Sequence, residues 1–143
     1  MNNALATRVL VIDDDIAVTD MLRVILEPKA FEVVSSLTAE DGIQAARRLN
    51  PDVVVLDLFM PGMDGWEVCR AIRKFSKVPI LVLTAMNKPG MVVQALNEGA
   101  DDYLIKPVAS SVLVAHLRNL TRRARAEKEA TETLNNQKFN SQL

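Results

Sequence analysis

Val9-Leu10-Val11-Ile12 runs straight into Asp13-Asp14-Asp15, and Val53-Val54-Val55-Leu56 runs straight into Asp57. A third run, Tyr103-Leu104-Ile105, ends in Lys106-Pro107. A short apolar run that stops abruptly in charge reads as a buried parallel strand whose C-terminal end opens into a site. In an open α/β sheet, ligands bind outside those carboxyl ends. Several carboxylates converging there repel one another unless a cation holds them, and a nearby lysine adds a second positive group. That constellation suits Mg²⁺ binding and the handling of a phosphoryl group.

Outward from these runs the pattern alternates strand and helix five times. Strands are expected over 8–12, 31–36, 53–57, 80–84 and 103–105. The first helix, over 16–26, has an apolar face filled by Met21, Val24 and Ile25 and is stopped by Pro28. Thr38 reads as the N-cap of a helix over 39–49, with Asp41 in its first turn, and Asn50-Pro51 ends it. Met60-Pro61-Gly62-Met63 reads as a turn, after which Asp64 caps a helix to about Phe75. Pro89 opens a helix to Glu98 that Gly99 closes, and a last helix runs from Ala109. Strict alternation predicts an α/β fold: a doubly wound, five-stranded parallel sheet with right-handed crossovers and helices on both faces.

The 143 residues fit one domain with a real core. A net charge of −1 gives no electrostatic footprint for nucleic acid or a membrane surface. Cys69 is the sole cysteine, which excludes an internal disulfide and a cysteine-rich metal site; it reads as a small packed residue, not a nucleophile. The N-terminus lacks a basic segment followed by an apolar stretch, and no apolar run reaches transmembrane length, so a cytoplasmic protein is expected. Composition shifts near Thr121. Residues 122–128 are charged and helix-favouring, whereas 131–143 are polar and read as a frayed tail or the start of a linker. Leu113, Leu117, Leu120 and Ala124 hint at a heptad that Glu127 and Thr131 break, so no sustained coiled coil is expected.

Among single residues, Asp57 leads. It follows the third strand, precedes the turn at Pro61-Gly62, and is expected to expose its carboxylate at the sheet edge. A carboxylate there can attack phosphorus to give an acyl phosphate, although aspartates also cap turns after strands. Successive side chains diverge, so only two of Asp13, Asp14 and Asp15 can face the site, and Asp15 reads as the N-cap of the first helix. Lys106, held in extended geometry before Pro107, is aimed at the same edge and could pair with Asp57. Thr84 ends the fourth strand with a hydroxyl suited to a phosphoryl oxygen. Tyr103 can rotate between core and solvent. His116 lies in the last helix and reads as a surface residue far from the strand ends, not as a base.

Taken together, the motifs around Asp13-Asp14-Asp15, Asp57 through Pro61-Gly62 to Asp64-Gly65, Pro79 to Thr84-Ala85, and Gly99 to Tyr103 and Lys106-Pro107 resemble the receiver domain of two-component response regulators over residues 7–121. The remaining 122–143 would be a C-terminal helical extension, linker or tail. The resemblance implies a flavodoxin-like strand order 2-1-3-4-5. It implies Asp57 as phosphoacceptor, and Asp14 and Asp57 as direct Mg²⁺ ligands with the Phe59 carbonyl. Asp13 would act mainly through water. Lys106 would contact the acyl phosphate, and Thr84 and Tyr103 would form a switch pair. A sensor histidine kinase or phosphotransfer protein would donate the phosphoryl group. An output domain or a partner protein would respond through the face of the fourth helix, fifth strand and fifth helix, with homodimerisation as one response.

Two departures stand out. Phe59 and Met86 occupy places where polar groups in other members orient the hydrolytic water, and here they should crowd it. Asp101, Asp102 and Arg118 are candidates for charged pairs across a dimer face, but Val112 and His116 stand where such members usually carry Glu and Arg. Other classes fit less well. An aspartyl phosphatase needs a second acid where Phe59 stands, so catalysis beyond the chain's own phosphorylation and slow dephosphorylation is not expected. A dinucleotide-binding domain needs a glycine-rich first turn where the three aspartates stand. A stand-alone receiver or relay module acting by protein binding remains the alternative to one that controls an attached output domain.

Overall fold

The computed structural model describes residues 6–141, with side chains through Lys138. The reading of the N-terminus and the end of the 131–143 stretch therefore fall partly outside the described residues.

Strands β1 (Thr7–Ile12), β2 (Phe31–Ser36), β3 (Val53–Leu56), β4 (Ile80–Thr84) and β5 (Asp102–Ile105) form one parallel sheet in the order β2-β1-β3-β4-β5. Between them run α1 (Ile16–Leu26), α2 (Ala39–Leu49), α3 (Gly65–Arg73) and α4 (Pro89–Asn97), and α5 (Ser110–Ser141) follows β5. The expected class and strand order are both observed.

Val53–Leu56 are buried without exception, which is why the run has no polar alternation. Because strand side chains alternate, the central strands feed two cores. Leu10, Ile12, Val54, Leu56, Ile80 and Val82 face one core, which α2, α3 and α4 close with Ala45, Cys69, Ile72 and Ala95. Val9, Val11, Val53, Val55, Leu81 and Leu83 face the other, closed by Leu22 and Leu26 of α1 and Leu113, Leu117 and Leu120 of α5. Burial pushes the Cys69 thiol up to about 11, consistent with a packed residue and not a nucleophile.

Local signals set the helix ends. Asp15, Thr38 and Asp64 each cap a helix through a side-chain oxygen that accepts from Ala17, Asp41 and Glu67 N–H respectively. Asn50 ends α2 in the left-handed region at φ 47°. Pro28 lies in a single 3₁₀ turn, Glu27–Lys29, that separates α1 from β2.

Of the forms expected for the C-terminal stretch, helical extension, linker or tail, the described residues take the helical one. The polar residues after Thr131 continue α5 to Ser141 instead of fraying. Residues 127–138 are all exposed, so this part is helical without packing on the domain. Ala, Glu, Lys and Arg favour helix by intrinsic propensity, and the Thr131 hydroxyl donates to the Glu127 carbonyl at 3.0 Å instead of competing with the helix.

Gly65 is where α3 meets the chain leaving Asp57. A Cβ there would stand 2.5 Å from Leu58 Cδ2 and 2.6 Å from Leu58 Cα, and the backbone atom cannot yield cheaply. Gly65→Ala should therefore destabilise the domain by roughly 1–3 kcal/mol despite alanine's better helix propensity. Urea unfolding checks this: an unchanged or raised midpoint would show that α3 can shift freely.

Candidate functional site: an acidic cluster at the carboxyl edge of the sheet

Backbone hydrogen bonds that continue each ladder just beyond the strands set the site. Asp13 N–H donates to the Ser36 carbonyl at 3.1 Å, and Asp57 N–H donates to the Ile12 carbonyl at 3.0 Å. Lys106 N–H donates to the Thr84 carbonyl at 2.8 Å. The side chains of Asp13, Asp57 and Lys106 are thus delivered to one edge by the same pairing that builds the sheet.

There Asp13, Asp14 and Asp57 each present a carboxylate oxygen, all within 4.8 Å of one another. Asp14 is exposed, while Asp13 and Asp57 are buried. The expected exposure of the Asp57 carboxylate is therefore corrected: its side chain is only 10% accessible. The chain leaving β3 turns back over it, and Phe59 N–H donates to Asp57 Oδ1 at 3.1 Å. Lys106 Nζ donates to Asp13 Oδ2 at 2.9 Å and to Asp57 Oδ2 at 3.4 Å. The lysine pairs more closely with Asp13 than with Asp57, its expected partner. Asp13 Oδ1 accepts from Asp15 N–H at 2.9 Å. The Lys106–Pro107 peptide is cis.

Electrostatically the site carries three carboxylates against one ammonium. Burial raises the Asp13 carboxyl above its ordinary value, and the hydrogen bonds from Asp15 and Lys106 oppose that only in part. For Lys106, burial favours the neutral amine, but Asp13 and Asp57 outweigh it and the net direction is up. A cluster that is short of positive charge and offers oxygen ligands fits a hard divalent cation such as Mg²⁺.

Thr84 closes β4 and is fully buried, with Met86 N–H 3.5 Å from its hydroxyl. Tyr103 is half-buried and donates its hydroxyl to the Met86 carbonyl at 2.6 Å. The loop after β4 therefore links the two residues. Burial, then the Asp57 charge, raises the Tyr103 phenol. Phe59 is 57% exposed. With Asp14, Met63 and Trp66, Phe59 and Met86 line an open cavity of about 580 Å³ beside the cluster.

Two side-chain partnerships went unread in the sequence. His116 Nδ1 is paired with Asp102 Oδ2, so the histidine binds β5 instead of standing as an isolated surface group. Asp101 Oδ2 accepts from Arg73 Nη2 and from Ile80 N–H, both at 2.8 Å. Asp101 and Asp102, expected to be available for a dimer face, are engaged within the chain. Both contacts join residues distant in sequence, and no local pattern encodes them.

Comparisons with known proteins identify the family and the fold. The sequence model of the response regulator receiver domain matches residues 9–118, and the chain belongs to that family. It is 43% identical over 124 residues to the transcriptional regulatory protein AfsQ1 of Streptomyces coelicolor, covering 87% of this chain and 54% of that protein. It is 43% identical over 116 residues to the DNA-binding response regulator MtrA of Mycobacterium tuberculosis, covering 81% of this chain and 51% of that protein. The chain thus spans about half the length of these curated relatives. A two-component response regulator from Clostridium difficile superposes with a TM-score of 0.80 at 32% identity, covering 82% of this chain and 98% of that one. The BeF3-activated N-terminal receiver domain of Klebsiella pneumoniae RstA gives 0.78 at 30% identity, covering 81% and 99%. Phosphorylation and signal transduction follow from membership of the family. Among the described residues no helix is long and apolar enough to cross a membrane.

Mutual repulsion within the cluster has a measurable consequence. In metal-free buffer Asp57→Asn should stabilise the fold by about 1 kcal/mol, because it removes one of three neighbouring charges in a partly buried setting. Denaturant unfolding in EDTA is the measurement, and a lowered midpoint would contradict the electrostatic account.

Proposed function

We propose that this domain, residues 7–121, is phosphorylated on Asp57 by a sensor histidine kinase or phosphotransfer protein and passes the signal on through a change of surface. A carboxylate oxygen of Asp57 attacks the phosphorus of a phosphohistidine. The P–N bond breaks, its electrons return to the imidazole, and an acyl phosphate forms. The observation that carries this reading is Asp57 fixed between Asp13, Asp14 and Lys106, with oxygens of the three carboxylates within 4.8 Å of one another.

Asp14 and Asp57 would hold Mg²⁺ directly together with the Phe59 carbonyl, and Asp13 would act mainly through water. When bound, the ion supplies positive charge opposite the phosphoryl oxygens. Lys106, already between Asp13 and Asp57, would then take a phosphoryl oxygen as its partner. Thr84 would move its hydroxyl toward that group. Tyr103 would give up the Met86 carbonyl and turn inward, altering the face of α4, β5 and α5. The named activity of the relatives, DNA-binding regulation, supports an output domain or partner protein as recipient, with residues 122–143 as the connecting helix. Homodimerisation on phosphorylation would use the same face, where Val93, Leu96, Ile105 and Val112 are exposed, while Asp101 and Asp102 are held by Arg73 and His116.

Acetyl phosphate with Mg²⁺ should give a single phosphoryl adduct on the wild-type chain and none on Asp57→Asn. Intact-mass spectrometry decides, and an adduct surviving in the variant would defeat the assignment.

Trp66 lines the same cavity as Asp14, so its fluorescence should respond to MgCl₂ with a weak, saturable change. Asp14→Ala should weaken that response several-fold. Equal affinity in the two proteins would remove Asp14 from the ligand set.

Dephosphorylation tests Phe59 and Met86, which line the cavity beside the cluster. With nothing polar at Phe59 or Met86 to place a water in line, Phe59→Asn with Met86→Glu should hydrolyse the acyl phosphate faster than wild type at saturating Mg²⁺. Equal or slower loss would show that these positions do not govern water placement.

A further inference from the structure

We infer that a basic groove at the opposite, N-terminal edge of the sheet binds a small polyphosphate anion of the nucleoside di- or triphosphate class. The groove, about 560 Å³, runs between the start of β1, the turn before β2, and the outward continuation of α5. That size lies within the roughly 300–1,000 Å³ of small-molecule clefts. Arg118, Arg122 and Arg125 line it from α5, and Lys29 and Thr7 from the other side. The three arginines stand at i, i+4 and i+7, on one helix face, over about 10 Å of axis.

None of their guanidinium groups has a carboxylate partner among the described residues. Arg118 donates to the Lys29 carbonyl at 3.5 Å, Arg122 to Asn119 Oδ1 at 2.9 Å, and Arg125 to Thr7 Oγ1 at 3.0 Å. Arg8, Arg23, Arg70 and Arg73 each pair with a carboxylate; Arg47, Arg48 and Arg123, which do not line the groove, share the lack of a carboxylate partner among the described residues. Among the described residues Glu129 is the only acid lining the groove. Like charges one turn apart destabilise a helix, and an anion bridging them reverses the sign of that term. Guanidinium forks match phosphate oxygens in pairs. Phe31 and Ala126 add an apolar wall against which a ring can lie. One concave site with charge at several points fits a compact polyanion better than an extended duplex. The groove begins at Thr7, whereas the acidic cluster begins at Asp13, so the length of β1, about 20 Å, separates the two.

Isothermal titration calorimetry with ATP and with inorganic pyrophosphate, in EDTA, tests this on the whole chain. Wild type and Asp57→Asn should both bind one ATP, which separates the groove from the phosphorylation site. The triple variant Arg118→Gln, Arg122→Gln, Arg125→Gln should bind roughly tenfold or more weakly, with its circular dichroism unchanged. Glu129→Gln should bind more tightly, an opposite effect that loss of folding cannot mimic. Three results would overturn the inference: no binding at millimolar ATP, equal binding by the triple variant, or tighter binding of duplex DNA than of ATP at equal phosphate concentration.

Discussion

The four residues of β3 are covered on both faces, so their side chains must be met from two directions at once. That constraint fixes the layers. α2, α3 and α4 close one side, α1 and α5 the other, and β1 and β4 flank β3 with equally apolar runs. Asp57 is the first residue after β3, and its amide is still in the ladder. The least movable part of the backbone therefore carries the residue with the most specific chemistry.

The same arrangement creates an electrostatic debt at the sheet edge. Strands β1, β3 and β5 end in charged groups, and parallel pairing, through β4 for β5, brings those ends to one edge. Lys106 bridges two of the carboxylates but cannot neutralise three. A domain that stored no function there would gain by replacing one acid with a neutral residue. The uncompensated charge is instead what makes the edge receptive to a cation and, with it, to a phosphoryl group. Around this edge the contacts are adjustable: Tyr103 is held by one backbone carbonyl, and Thr84 by a long contact to the same loop.

Elements with their own stop signals were legible residue by residue. Thr38 and Asn50 bracket α2, and β2 and β4 run over the positions expected from their apolar spans. Boundaries drifted where no such signal stands. The helix after Asp64 ends at Arg73 and not near Phe75, where no Gly, Asn or Pro marks the end. The chain after Thr131 continues α5 as helix although its polar composition offers no apolar face to pack.

The sequence by itself determined the alternation of strand and helix, the doubly wound class, and which residues reach the carboxyl edge. Those properties follow from periodicity, from caps and from charge at strand ends, all of which are local. Tertiary structure alone decided what those residues meet. It buried Asp57 under the chain that leaves β3, set Lys106 closer to Asp13 than to Asp57, paired His116 with Asp102, and committed Asp101 to Arg73 and Ile80. It also set Arg118, Arg122 and Arg125 of α5 in a groove beside the turn before β2, without carboxylate partners among the described residues. Each of these outcomes joins positions far apart in the chain. Their distances depend on how the helices pack on the sheet, which no local pattern of residues specifies.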